Sequence, residues 1–423
     1  MPDSAGTATA FLTGVKGNYE TIGVNAHVSA QEKNCSLVRE NSVPSILKWA
    51  VDAGKYAGLV TTTRVTHATP AASYAHSSFR DWENDAQLPS VVADQGCKDI
   101  ARQLVEDYPG RELRVVLGGG RKHFLPSSFV DPASNWSGGR KDESLIEKWI
   151  KNKKAAGLQS HQFKWVNSTK GLTDKSLEQV EYLFGLFNYS HMAFEEERDQ
   201  SPDGEPSLQE MTTAAIKLLR KGSKGFVLLV EGGRIDHAHH MNLAGVALRE
   251  TLALDQAVEA AVKLVDLEET LVVVTSDHAH TLTLNGYPVR GQDILGSSGD
   301  KDSGGVAFDT LMYGNGPGHR EPAAGQRVGR AHQSAVHLNE SHHSGEDVVA
   351  YGDGPFAHLF QGLVDQTFVA HVISFAACIG NYGRATHCVA SASSPQVCLT
   401  PLLLCLSLSL ALLLIMIPGD ETF

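Results

Sequence analysis

Three short segments of this chain concentrate the side chains that bind metal ions, and a fourth carries a candidate nucleophile. The densest is Val230-Glu231-Gly232-Gly233-Arg234-Ile235-Asp236-His237-Ala238-His239-His240. With a helix starting near Arg234, Asp236 and His240 lie four residues apart on one face, and an oxygen with an imidazole suits zinc. A polar, solvated turn is the bland alternative, and it fits poorly because so many ionisable groups directly follow an apolar run. Thr275-Ser276-Asp277-His278-Ala279-His280 ends a second Val-rich run, where Asp277 and His278 suit a second metal. Alone it reads as a capped turn; beside the first segment it reads as a ligand pair. His342-His343-Ser344-Gly345-Glu346-Asp347 offers a further imidazole. Near the start, Asp3-Ser4-Ala5-Gly6-Thr7-Ala8-Thr9-Ala10 sets a serine before small residues able to form a helix. Ser4 reads either as a helix cap or as a nucleophile at a helix N-terminus that attracts phosphate. No His-Asp relay stands beside it, so a coordinated metal is its natural activator.

Such groups need a rigid frame. Short β-branched runs at 57–62, 113–117, 226–230 and 271–275 end in Gly, Thr, Asp or His, and are apolar on both faces, as buried parallel strands are. Amphipathic stretches at 44–53, 91–108, 207–221 and 242–265 alternate with them and predict helices. This alternation predicts a doubly wound, largely parallel α/β sheet flanked by helices, with ligands at the carboxyl ends of the strands. The stretch from 281 is Gly-rich and Pro-punctuated, so 284–341 is expected to form a small inserted subdomain. The catalytic domain is then 1–283 and 342–389, leaving 390–423 as a tail.

Composition narrows the function. There are 36 basic and 48 acidic side chains, a net charge of −12, which leaves no basic footprint for nucleic acid. The cysteines contain no CxxC pair, so a zinc ribbon is unexpected, and two disulfides can form among Cys35, Cys97, Cys378 and Cys388. Sequons at Asn34, Asn135, Asn167, Asn188 and Asn339 fit a secreted glycoprotein. Residues 402–417 are almost continuously apolar and follow small residues at 390–394, the pattern of a glycosylphosphatidylinositol (GPI) signal removed on maturation. A retained span is the alternative, for which the run is short. Met1 is followed directly by Pro2-Asp3-Ser4, without the apolar leader such a tail requires, so further residues are expected upstream.

Together, in this order, the motifs resemble those of the animal GPI-linked alkaline phosphatases, from Asp3 to about Cys388. The resemblance implies phosphate-monoester hydrolysis through a phosphoserine at Ser4, with Arg80, in Ser78-Phe79-Arg80-Asp81-Trp82, gripping the phosphate oxygens. It implies two zinc ions and one magnesium ion. Asp236, His240 and His343 would hold the first zinc; Asp277, His278 and Ser4 the second; Glu231 and Thr69 the magnesium, with His67 just outside. It further implies disulfides Cys35–Cys97 and Cys378–Cys388, and a homodimer in which Tyr287 reaches the partner's site. A membrane location on the extracellular face is implied as well. Lys170 and Asn188 stand where family members have glutamates of a calcium site, with Phe187 and Glu205 retained, so weak or absent calcium binding is expected. The family's aspartate bridging the second zinc and magnesium would lie upstream of Met1. The chain alone is therefore expected to be poorly folded or nearly inactive. A non-catalytic paralogue with partial metal binding is the alternative reading.

Overall fold

The computed structural model describes residues 2–319, 331–390 and 411–416. Six strands of the main sheet are β1 (Tyr56–Arg64), β2 (Val115–Gly119), β3 (Phe163–Val166), β4 (Tyr182–Leu186), β5 (Phe226–Glu231) and β6 (Thr270–Thr275). Smaller strands follow: β7 (Ala279–His280), β8 (Leu282–Leu284), β9 (Ser297–Lys301), β10 (Ala307–Asp309), β11 (Leu311–Gly316), β12 (Ser334–His337) and β13 (His343–Ser344). The last two are β14 (Ala350–Asp353) and β15 (Ala411–Met416). The main sheet has the order β14-β6-β15-β5-β1-β2-β4-β3; β14 runs antiparallel to β6 and the other pairings are parallel.

Period-two alternation explains why these strands are apolar throughout. Val227 and Leu229 of β5, with Leu271 and Val273 of β6, pack on one side with the helices Ser4–Thr13, Ile46–Asp52 and Thr367–Ala376. Leu228, Val230 and Val272 pack on the other with the helices Leu208–Leu219 and Ala244–Leu264. A sheet covered on both faces requires side chains of one kind at every position. The helix predicted over 91–108 is broken into Ser90–Ala93 and Ile100–Glu106. Gly96 adopts a left-handed φ of 80°, and Cys97 is tied to Cys35 across a Cα–Cα distance of 5.8 Å. Cys378 pairs with Cys388, so both implied disulfides form.

The region after β7 builds small sheets, β12-β11-β8 and β10-β9. Most of the apolar tail lies outside the described residues. Its described part, β15, sits between β5 and β6. No described helix is long and apolar enough to cross a membrane.

The turn after β5 admits only glycine. A Cβ on Gly233 would lie 2.3 Å from Thr63 Cγ2 and 2.9 Å from Glu231 Cδ. Gly233→Ala is expected to cost about 1–3 kcal/mol through overpacking, read as a lower urea midpoint with an unchanged slope.

Candidate active site

The ligand-bearing residues sit at the carboxyl ends of the parallel strands. Glu231 ends β5, and the helix Arg234–His240 after it carries Asp236 and His240 one turn apart. Asp277 and His278 follow β6, and the antiparallel pair β7–β13 places His280 opposite His343. Asp236, His240, His280 and His343 each bring a donor atom within 4.8 Å of the others. The distances to Asp236 Oδ1 are 2.5 Å from His280 Nε2, 3.3 Å from His343 Nε2 and 3.4 Å from His240 Nε2.

This donor set fits a metal. His240 Nδ1 donates to the Ser341 carbonyl and His343 Nδ1 to the Pro2 carbonyl, at 2.9 Å for the latter. Carbonyls only accept, so in the neutral rings the two Nε2 atoms carry the lone pairs, and they face each other at 3.1 Å. Without metal a proton on His240 bridges that contact, and a metal ion that displaces the proton finds two imidazole donors and the Asp236 carboxylate converging on it. Burial alone would raise the Asp236 pKa, yet His240 and His280 hold it well below the usual carboxylate range. Burial opposes a charge on His240 too, but Asp236 lifts it to about 9.

Asp277 and His278 form a second group around Ser4. Ser4 Oγ lies 3.1 Å from His278 Nε2 and hydrogen-bonds Asp277, whose other oxygen is buried without a partner. Burial, then the Asp236 charge, raises Asp277 to about 6. Ser4 is 7% exposed and opens the helix Ser4–Thr13, whose cap Asp3 accepts from the N–H groups of Ala5 and Gly6. Arg80 Nη1 holds the same Asp3 at 3.1 Å, and Arg80 Nη2 faces His67 Nε2 at 3.1 Å. The nucleophile candidate and Arg80 thus share one anchoring carboxylate.

Glu231 and Thr69 meet below this group. Thr61, Thr63 and Thr69 hydroxyls all donate to Glu231, while burial pushes its pKa up to about 7. A buried acid that costly to ionise fits an oxygen-preferring cation beside it. Tyr287 stands apart in the inserted region, 94% exposed on the single chain.

Some of the site was missed in the sequence. His280 contacts Asp236 more closely than either expected imidazole; it lies two residues from His278, the spacing that repeats a strand face. Asp3 carries no signal of its own in the sequence beyond its place in the serine motif. His191, in a loop after β4, joins His67 and His237 in a further cluster and carried no motif signal.

An α/β sheet with histidine and carboxylate ligands at its carboxyl edge defines a metal-dependent hydrolase architecture. The family model described as alkaline phosphatase matches residues 1–379. The human tissue-nonspecific alkaline phosphatase isozyme is 45% identical, over 96% of this chain and 78% of that protein. The membrane-bound alkaline phosphatase of Bombyx mori is 40% identical, over 96% of this chain and 74% of its own length. Among solved structures, a magnesium-bound mutant of the TAB5 alkaline phosphatase shares the fold, with a TM-score of 0.60 at 23% identity. It covers 90% of this chain and 85% of its own. The chain belongs to the alkaline phosphatase family, the hydrolases of phosphate monoesters.

Proposed function

We propose that this chain hydrolyses small phosphate monoesters by passing the phosphoryl group first to Ser4 and then to water. The observation that carries this reading is the place of Ser4: a buried hydroxyl at a helix N-terminus, on His278 and Asp277, with Arg80 fixed beside it through Asp3. Asp236, His240 and His343 would hold one zinc; Asp277, His278 and Ser4 a second; Glu231 and Thr69 a magnesium, with His67 outside it. Bound there, the ions supply Lewis acidity, lowering the pKa of hydroxyl and water and balancing charge on phosphoryl and leaving oxygens.

Ser4 Oγ gives its proton to solvent and forms the bond to phosphorus as the ester P–O bond breaks, and the released oxygen takes a proton from solvent. Water then attacks phosphorus, the Ser4–phosphorus bond breaks, and Ser4 regains its proton. Arg80 offers paired N–H groups to the equatorial oxygens, and the N-terminus of the helix Ser4–Thr13 adds its dipole. Acid quenching during turnover of p-nitrophenyl phosphate, followed by peptide mass spectrometry, should recover phosphate on Ser4. Turnover with no adduct there, or an adduct elsewhere, overturns the assignment.

Calcium binding at Lys170, Phe187, Asn188 and Glu205 would be weak or absent. Among Lys170, Phe187, Asn188 and Glu205 the only carboxylate is Glu205. Asn188 Nδ2 donates to one of its oxygens and the Ala193 N–H to the other at 2.9 Å. A calcium ion takes about six to eight oxygen ligands. Protein dialysed without chelator is expected to retain far less than stoichiometric calcium, measured by plasma emission; full retention contradicts this.

We further propose a homodimer joined partly through the Tyr287 region, where exposed Leu284 and Val289 support burial by a second copy. Extracellular, GPI-anchored attachment is supported by the sequence of the tail, and glycosylation by exposed Asn34, Asn135, Asn167 and Asn339. Asn188 is a poor acceptor of glycan because its amide is bonded to Glu205. A cleaved tail would also remove β15 and bare the edges of β5 and β6. C-terminal peptide mapping of the mature protein decides between the two fates.

A further inference from the structure

Two threonines of β1, Thr61 and Thr63, have no part in the proposed reaction, yet both are buried against Glu231. Thr61 is the register partner of Glu231 across the parallel pair β1–β5. Residues two apart on a strand face the same way, so both hydroxyls reach the one carboxylate.

Their hydrogen bonds fall on a single oxygen. The Thr61 hydroxyl accepts the Thr63 backbone N–H at 2.8 Å and donates to Glu231 Oε2. The Thr63 hydroxyl lies 3.1 Å from the same Oε2 and 3.1 Å from the Arg64 carbonyl. An ionised carboxylate is the stronger acceptor of the two, so that proton goes to Oε2 once Glu231 is charged. A carboxylate has about four lone-pair sites on its two oxygens, and two hydroxyls fill those of Oε2. Oε1 is left for a cation. Thr69, the other proposed magnesium ligand, bonds the same carboxylate.

Packing fixes the two hydroxyls where they are. A Cβ on Gly118 would lie 2.8 Å from Thr61 Cγ2, and one on Gly233 would lie 2.3 Å from Thr63 Cγ2. Each methyl therefore fills a space that a glycine leaves open, and with the methyl seated the stiff β-branched χ1 gives the hydroxyl one direction.

The number of oxygens that Glu231 can offer separates two hard cations. Calcium takes about six to eight oxygens and accepts carboxylates through both of theirs, whereas magnesium demands near-octahedral geometry and keeps several waters beside one or two carboxylates. We propose that Thr61 and Thr63 are positioning residues that hold Glu231 to single-oxygen coordination and so make its site select magnesium over calcium. The inference rests on the proposed binding of magnesium by Glu231 and Thr69.

Valine and serine divide the two properties of threonine: Thr61→Val and Thr63→Val keep the seated methyl and lose the hydroxyl, while Thr61→Ser and Thr63→Ser do the reverse. The zinc-loaded full chain and each variant are dialysed against magnesium with rising calcium, and bound ions are measured by plasma emission. The calcium concentration that displaces half of the bound magnesium should fall about tenfold or more in the valine variants and stay within about twofold of the parent in the serine variants. Thermal midpoints should follow the methyl instead, lower in the serine variants. Parent-like displacement in both valine variants overturns the proposal, and so does an equal fall in the serine variants, which would assign the effect to packing. Glu231→Gln separates this inference from the reading beneath it. If Glu231→Gln retains magnesium as the parent does, the magnesium assignment falls and the selectivity with it; if it loses magnesium while the valine variants match the parent, only the role of the threonines falls.

Discussion

Ser4→Ala is expected to lower kcat for p-nitrophenyl phosphate by about 10⁴-fold or more, the order seen when a nucleophile that works within a catalytic unit is removed. The change deletes one oxygen from a buried helix N-terminus. Asp3 still accepts from the Ala5 and Gly6 N–H groups, so the helix stays capped. The lost hydroxyl leaves Asp277 and His278 without their shared partner, which changes local hydrogen bonding but little packing. Stability should therefore move far less than rate, and the thermal midpoint is the control. Residual turnover would come from direct attack by water with Arg80 and the helix dipole still in place. A variant that keeps parent-like kcat would remove Ser4 from the mechanism, whatever its binding of phosphate.

The parts of this site that were legible in the sequence are those fixed by local periodicity. Asp236 and His240 share a face because a helix starts at Arg234, and that spacing is written in the chain. Asp277 and His278 follow a strand whose apolar run marks its end. What sequence could not carry depends on long-range registry. His280 reaches Asp236 because β7 pairs with β13, residues far apart in the chain. His191 enters its cluster from a loop with no periodic signal, brought there by the pairing of β4 with β2. The break in the helix expected over 91–108 follows from a disulfide to Cys35, whose partner spacing alone left open. The apolarity of the tail predicts a removable signal, and it suits a strand between β5 and β6 equally well.

Asp236→Asn should weaken zinc binding by about 10²-fold or more and carry activity down with it at limiting zinc. The substitution keeps the shape and removes the only carboxylate of the group Asp236, His240, His280 and His343. The opposed Nε2 atoms of His240 and His343 would then share a site with no anion to balance a divalent cation. A second consequence belongs to the metal-free chain and has a definite sign. Asp236 raises His240 from 6.5 to about 9 against the effect of burial, so the folded state binds a proton there that the unfolded state gives up. That contribution to stability is complete below pH 6.5 and is lost as pH rises through about 9. Urea titrations of the chelated protein should show this decline in the parent and a flatter profile in Asp236→Asn. Equal zinc affinity in the two proteins, or identical pH profiles, would show that Asp236 is not the charge on which this cluster depends.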